Sequence, residues 1–99
     1  MKNILLVCAA GMSTSLLVQR MRKAADSRGL EVNVWAVSAS DAKAESQKAD
    51  VVLLGPQVKY LQKEVASYVG DKPFEGIDMK LYGRMDGDGV LDRALELIG

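Results

Sequence analysis

The order of apolar and polar positions along the chain predicts strands that alternate with helices. Residues 4–7 and 51–54 form two apolar runs without polar alternation, which is typical of strands buried on both faces of a sheet. Residues 30–37 alternate between apolar and polar, which predicts a strand with one more exposed face near a sheet edge. A shorter and weaker strand is predicted over residues 74–77. The pattern therefore indicates four strands.

Helical spacing of apolar residues follows the first strand and recurs at the end of the chain. From Leu16 onward, the apolar positions lie on one helical stripe that ends at residues 27–29, and Ser13 and Thr14 are candidate N-cap residues for this helix. The last helix is predicted from the apolar positions between residues 90 and 98, with Asp86 as its cap.

Two further helices are predicted between the strands. A short, alanine-rich and polar helix is expected over residues 42–48, preceded by Ser38 and Asp41, which resemble a capping box. The next helix is expected from Val58 to its end at Gly70. The resulting order, β-α-β-α-β-α-β-α, predicts an α/β fold with a parallel sheet, helices on both faces and right-handed crossovers.

Composition and charge restrict the class of protein. With 99 residues and 48% hydrophobic content, the chain suits one globular domain, residues 1–99, without a linker or repeat. Thirteen basic and thirteen acidic residues cancel, so we expect no general attraction to nucleic acid or to a membrane surface. No apolar run approaches the ~18 residues of a membrane span, and the start of the chain does not read as a signal peptide. We therefore expect a cytoplasmic protein.

The chain contains one cysteine and no histidine, which excludes several chemistries. An internal disulfide needs a second cysteine, and a zinc site needs ligands that this composition does not offer, so we expect no metal and no cofactor. The phosphate loop of nucleotide-binding proteins and the dinucleotide fingerprint are both missing from the sequence. Without histidine, any covalent phosphoryl intermediate on this chain must use another side chain.

The candidate chemistry lies in residues 8–15, CAAGMSTS, where the first strand ends and the first helix follows. The N–H groups at the start of a helix have no intrahelical partner, and the helix dipole adds positive charge, so such a turn suits an oxyanion. The same field favours the thiolate form of Cys8, which is the better nucleophile, and Gly11 lets the backbone curl around a ligand. The simpler alternative is that Cys8 is a small buried packing residue.

Residues 8–15 resemble the phosphocysteine loop of the enzyme IIB component of the sugar phosphotransferase system, in its lactose/cellobiose (chitobiose) branch. Residues 51–57 and 81–87 also resemble segments of that family. The resemblance implies that Cys8 accepts a phosphoryl group from a histidine of the IIA component and passes it to a sugar bound by the membrane IIC component. It also implies strand order 2-1-3-4, as in low-molecular-weight tyrosine phosphatases. Because the sugar site belongs to IIC in this family, cellobiose, chitobiose and lactose all stay open.

With strand order 2-1-3-4, the first and third strands meet at the switch point, where open α/β sheets bind ligands. Gln57 would then lie beside the Cys8 turn, either as a phosphate donor or as an ordinary helix-start residue. The turn after the fourth strand should reach the same edge, where Tyr82 and Arg84 are candidates for contact with the phosphate or a partner. Asp86 is assigned to capping.

The predicted site thus has a nucleophile, a phosphate-binding loop and three further candidates. Cys8 is the predicted nucleophile. The phosphate is expected to be held by backbone N–H groups and hydroxyls of the following loop residues: Ala9, Ala10, Gly11, Met12, Ser13, Thr14 and Ser15. The further candidates for contact with phosphate or partner are Gln57, Tyr82 and Arg84.

Two alternative functions stay open at this point. A hydrolase of the low-molecular-weight tyrosine phosphatase type would need an arginine followed by a hydroxyl residue, but those positions are Thr14 and Ser15 here. The guanidinium that stabilises the transferring phosphoryl group is therefore missing. A redox-regulated binding module would instead use oxidation of Cys8.

Overall fold

The sheet has four parallel strands in the predicted order. The structure is a computed structural model that describes residues 1–9 and 12–99, without the side chains of Met12 and Ser13. Its strands are β1 (Lys2–Cys8), β2 (Val32–Ser38), β3 (Val51–Leu54) and β4 (Phe74–Gly76). They pair in parallel in the order β2-β1-β3-β4, which confirms the predicted topology.

Five α-helices and one 3-10 helix connect and follow the strands in the described part of the chain. The helices are α1 (Met12–Ser27), α2 (Ala39–Ser46), α3 (Gln62–Val69), α4 (Met79–Gly83) and α5 (Gly87–Ile98), and the 3-10 helix is Pro56–Leu61. An α-helix was expected from Val58, but the segment before α3 is a 3-10 helix instead. It starts at a proline, and Val58 has non-helical dihedrals. The one-turn helix α4 was not predicted, since five residues are too few to show a helical period.

Two predicted helix starts are wrong. Helix α1 begins at Met12, so Ser13 and Thr14 lie within its first turn and are not its N-cap. Helix α2 begins at Ala39 with Ser38 in the N-cap position, but the Ser38 side chain makes no capping hydrogen bond. The Ser38 hydroxyl instead lies 2.9 Å from the Ser40 hydroxyl and donates to the Asp41 carboxylate at 3.4 Å. The predicted capping box therefore does not form.

Alternate residues of β1 point into two separate apolar layers. Ile4 and Leu6 pack with residues of α1 and α5 on one face, whereas Leu5 and Val7 pack with residues of α2 and α3 on the other. All four are fully buried. Because each such side chain contributes roughly 1.5–3 kcal/mol when buried, a continuous apolar run is what a central strand covered on both faces requires.

The edge strand β2 is more exposed, as its alternating pattern predicts. Trp35 is half-buried against the layer of α2 and α3, and its indole N–H donates to the Glu45 carboxylate at 3.0 Å. Hydrogen bonds from Lys48 and from Trp35 hold the pKa of Glu45 below its usual value. The tryptophan is therefore a packing residue with a satisfied polar atom.

In the part of the chain that the structure describes, no helix is both long and apolar enough to cross a membrane.

Candidate active site

Cys8 is the last residue of β1 and lies between the ends of its two neighbouring strands. It is in register with Ser38 of β2, and its thiol donates to the Val37 carbonyl oxygen at 3.8 Å. On the other side, the Gly55 N–H donates to the Val7 carbonyl oxygen at 2.8 Å. The Cys8 residue is only 3% exposed. Burial alone suits a packing residue as well as a nucleophile, so the position at the carboxyl edge of the sheet is the distinguishing feature.

Gly55 allows the segment after β3 to lie against the end of β1. A Cβ atom at this position would lie 2.7 Å from Gln57 Oε1, 3.3 Å from the Val7 carbonyl oxygen and 3.8 Å from Cys8 Cβ. A side chain at residue 55 would therefore displace both the Gln57 amide and the strand that carries Cys8. The sequence marked this glycine only as a strand end, because the close approach depends on a partner far away in the chain.

Helix α1 begins at Met12, four residues after Cys8. An α-helix leaves the N–H groups of its first turn without intrahelical acceptors, and its dipole places partial positive charge there. No acidic residue occurs in the first turn of α1 that would repel an anion. Starting at Met12 rather than Leu16, the helix brings this positive end nearer in sequence to Cys8 than expected.

The Tyr82 hydroxyl joins three elements at the carboxyl edge of the sheet. The Gln57 amide, after β3, donates to the Tyr82 hydroxyl at 2.8 Å, and this hydroxyl lies 3.3 Å from the Thr14 hydroxyl in α1. The phenol oxygen has two lone pairs and one proton, so it accepts from Gln57 and can either donate to the Thr14 hydroxyl or accept from it. Thr14 is only 1% exposed, so Tyr82 satisfies a buried hydroxyl. The structure therefore brings Gln57, Tyr82 and Thr14 together.

The other predicted residues are less closely associated with this group. The Arg84 side chain is exposed and makes no hydrogen bond or ion pair among the described residues. Its backbone does, since the Arg84 N–H donates to the Lys80 carbonyl oxygen at 3.1 Å and the Arg84 carbonyl oxygen accepts from Arg20 at 3.3 Å. Asp86 accepts from the Gly89 N–H at 2.9 Å, which confirms its role as the cap of α5. Ala9 and Ser15 are exposed.

Part of the predicted loop lies outside the described residues. This applies to Ala10 and Gly11 and to the side chains of Met12 and Ser13. Within the described ranges, no group of three or more histidine, cysteine or acidic side chains is arranged to hold a metal ion.

Two large apolar side chains are exposed close in sequence to the Tyr82 partners. Leu16, two residues after Thr14, is 42% exposed, and Tyr60, three residues after Gln57, is 78% exposed. Aromatic side chains such as Tyr60 are enriched in protein interfaces, so these exposed residues are candidates for contact with a partner.

Comparison with known proteins identifies the family. A family model described as the lactose/cellobiose-specific IIB subunit of the PTS, the phosphotransferase system, matches residues 3–93. The chain is 47% identical to the oligo-beta-mannoside-specific EIIB component of Bacillus subtilis, over 99% of this chain and 97% of that protein. It is 46% identical to the cellobiose-specific EIIB component of Lactococcus lactis, over 98% and 96% respectively.

Solved structures agree with the fold. A cellobiose-specific IIB component from Borrelia burgdorferi matches with a TM-score of 0.82 and 39% identity, covering 98% of this chain and 91% of that one. The lactose-specific IIB domain from Streptococcus pneumoniae matches with a TM-score of 0.83 at 18% identity, over 97% and 96%. A YwlE mutant from Bacillus subtilis, which has the fold of the low-molecular-weight tyrosine phosphatases, matches with a TM-score of 0.57 at 17% identity, over 99% and 94%. The chain therefore belongs to the lactose/cellobiose-specific IIB subunits of the PTS, which are phosphotransferases that work with IIA and IIC partners.

Proposed function

We propose that this protein is a cytoplasmic phosphoryl carrier that uses Cys8. It accepts the phosphoryl group from a phosphohistidine of the IIA component and transfers it to a sugar of the cellobiose, chitobiose or lactose class bound by the membrane IIC component. The observation that carries the proposal is the position of the chain's one cysteine, at the carboxyl end of β1 and four residues before the first residue of α1, Met12.

The two transfers balance at sulfur. In the first, the Cys8 thiol loses its proton to solvent, the thiolate attacks phosphorus, and the S–P bond forms as the N–P bond of the donor histidine breaks. In the second, a sugar hydroxyl oxygen attacks phosphorus, the S–P bond breaks and the thiolate leaves. The donor histidine must belong to the partner, because this chain contains none. With Cys8 only 3% exposed, the first transfer also requires that the sulfur become accessible when the donor docks.

The phosphoryl group would be held by the N–H groups of the loop and of the first turn of α1. Backbone donors and a helix dipole stabilise a dianion without a charged side chain. The Thr14 hydroxyl supports this role. In the phosphorylated state, the Tyr82 hydroxyl would donate to the Thr14 oxygen, which leaves the Thr14 proton for donation to a phosphate oxygen. Gln57 and Tyr82 would then orient the Thr14 hydroxyl rather than contact the phosphate themselves. Arg84 is a candidate for contact with a partner.

Transfer is favoured over hydrolysis by the residue at the arginine position. The tyrosine phosphatase pattern requires a guanidinium that binds the equatorial phosphate oxygens. Here the corresponding residue is Thr14, which is buried and engaged by Tyr82. A phosphocysteine held by backbone donors and hydroxyls lacks that stabilisation of the hydrolytic transition state, so it can survive until the acceptor docks.

The exposed apolar residues support the partner part of the proposal. Leu16 and Tyr60 would contribute to the surface that receives IIA and IIC in turn. The choice of sugar is assigned to IIC rather than to this domain. Relatives named for oligo-beta-mannoside, galactose and cellobiose are all 46–47% identical to the chain, which supports that assignment.

The intact mass of the protein tests the proposal. The protein is incubated with phosphoenolpyruvate, the general phosphotransferase proteins and an IIA component of the lactose/cellobiose class, in parallel with Cys8→Ser. The Bacillus subtilis relative serves as the positive control for the donor. We expect a gain of about 80 Da, one phosphoryl group, in the parent and none in Cys8→Ser, because a serine alkoxide forms far less readily than a thiolate.

Two results would contradict the proposal. One is a phosphoryl gain in Cys8→Ser, and the other is no gain in the parent while the control relative is phosphorylated. In the second case, rapid hydrolysis of an aryl phosphate by the parent would support the phosphatase alternative.

A further inference from the structure

We propose that Arg20 is a positioning residue for Tyr82 and that it acts through the turn between α4 and α5. This inference rests on the proposed function, since it concerns Tyr82, whose hydroxyl contacts that of the proposed phosphate ligand Thr14. Arg20 lies on α1, in the same helix as Thr14, and contacts the backbone of the segment that carries Tyr82.

The turn after α4 has an unusual backbone. The Met85 N–H donates to the Tyr82 carbonyl oxygen at 3.0 Å, and the Asp86 N–H donates to the Leu81 carbonyl oxygen at 2.9 Å. These two bonds form the Schellman motif, in which the residue at the Met85 position adopts a left-handed conformation and is usually glycine. Met85 has φ +50°, and among the described residues it is the one non-glycine residue with a positive φ. A methionine in this conformation needs support from its surroundings.

Arg20 provides that support. Its guanidinium Nη1 donates to the Met85 carbonyl oxygen at 3.0 Å and to the Arg84 carbonyl oxygen at 3.3 Å. The carbonyl groups at a helix C-terminus lack intrahelical donors and carry partial negative charge, so a guanidinium there is favourable. The contact fixes the C-terminal end of α4 to α1.

Helix α4 depends on such contacts because it has only five residues. The Asp78 carboxylate holds its N-terminal end by accepting from the Lys80 and Leu81 N–H groups at 2.8 and 3.2 Å. Arg20 holds the other end. Tyr82 lies between the two, and its carbonyl oxygen is itself an acceptor in the Schellman motif.

The Tyr82 hydroxyl has little tolerance for movement of α4. It lies 3.3 Å from the Thr14 hydroxyl, near the outer limit of a hydrogen bond, so a shift of a few tenths of an ångström away from α1 would break the contact. Arg20 therefore sets the Tyr82–Thr14 distance, because it ties the turn beside Tyr82 to the helix that carries Thr14.

A double-mutant cycle tests the inference. The rate of phosphoryl transfer from phosphorylated IIA is measured for the parent, Arg20→Ala, Tyr82→Phe and the double variant, at a temperature where all four are folded. We expect Arg20→Ala to slow transfer about tenfold, as a displaced positioning group does, and to have no further effect in the Tyr82→Phe background. A charge contact between Arg20 and IIA would instead give losses that multiply, and that result would overturn the inference.

Met85→Gly supplies a rescue. Glycine adopts the left-handed conformation without support, so adding Met85→Gly to Arg20→Ala should restore most of the lost rate. A docking contact or a general loss of stability would not be repaired by this change, so a failure to rescue would count against the inference.

A second readout does not depend on phosphoryl transfer. NMR of protein with isotope-labelled tyrosine rings gives the chemical shift of Tyr82. This shift should change in Arg20→Ala and return to the parent value in Arg20→Ala with Met85→Gly. Tyr60 and Tyr68 are internal controls, since neither contacts Arg20. An unmoved Tyr82 signal would overturn the inference even if the parent carries phosphate. If the Tyr82 signal moves in Arg20→Ala while the parent takes no phosphate, the result would support the inference and contradict only the proposed function.

Discussion

Gly87 gives the sharpest structural prediction, because α5 begins there in direct contact with the backbone of α1. A Cβ atom at residue 87 would lie 2.5 Å from the Arg20 carbonyl carbon, 2.6 Å from Arg20 Cβ and 2.7 Å from the Met21 nitrogen. Two of these are backbone atoms of α1 and cannot rotate away as a side chain would. Gly87→Ala therefore forces α5 away from α1.

The magnitude follows from two opposing effects. Inserting one methyl group into a packed contact costs typically 1–3 kcal/mol, and a contact with backbone lies at the upper end of that range. Alanine gains up to about 1 kcal/mol over glycine from helix propensity. The expected net loss is about 2 kcal/mol in the free energy of unfolding. For a chain of this length, that corresponds to a fall in Tm of roughly 8–16 °C.

Urea and thermal unfolding followed by circular dichroism provide the assay. Gly83→Ala is the matched control, because nothing lies within 4 Å of a Cβ atom at residue 83 at the end of α4. That variant should be as stable as the parent or more stable by up to about 1 kcal/mol. If Gly87→Ala were as stable as Gly83→Ala, the close approach of α5 to α1 would be refuted, since no other cost distinguishes the two sites.

Two further predictions concern an ion pair and the core. Arg93 donates to both Glu75 carboxylate oxygens, at 2.7 and 2.8 Å, and these hydrogen bonds hold the pKa of Glu75 below its usual value. Because the folded pKa lies below the unfolded one, the pair contributes stability above the usual glutamate range, and this is lost as the pH falls through the folded pKa. Glu75→Gln should therefore be slightly less stable than the parent at neutral pH and equal to it in acid, measured by urea unfolding; a difference independent of pH would contradict this. Leu6→Ala should lower the free energy of unfolding by about 3 kcal/mol, because Leu6 is fully buried. Leu30→Ala, at a position 38% exposed, should lower it by less than about 1 kcal/mol. Equal losses in the two variants would contradict the burial of Leu6 in the two-layer core.

The sequence predicted the parts of the molecule that depend on short-range patterns. The apolar runs at residues 4–7 and 51–54 identify the central strands, and the alternation of β2 identifies an edge strand. The position of Cys8 at the end of a buried strand follows from the same pattern. These predictions succeed because burial on two faces, one face or one stripe leaves a period that is visible within a few residues.

The contacts around Tyr82 are different, because they join residues far apart in the chain. Thr14 and Tyr82 are 68 positions apart, and Arg20 and Met85 are 65 apart. The same distance in sequence explains why Ser13 and Thr14 were assigned to an N-cap. Thr14 has a natural capping side chain, and only the folded chain shows that its hydroxyl faces Tyr82 in the interior.

The sequence by itself thus determined the strand and helix alternation, the family and the candidate nucleophile, because each is written in local periodicity or in a contiguous motif. Only the tertiary structure decided the contacts between elements: Gly55 lies against Cys8, Gln57 and Thr14 contact the Tyr82 hydroxyl, and Arg20 binds the turn after α4. The physical reason is that hydrogen bonds and close contacts at the carboxyl edge form or break when elements shift by a few tenths of an ångström. Those distances are set by how α1, α4 and α5 pack, and no local pattern encodes them.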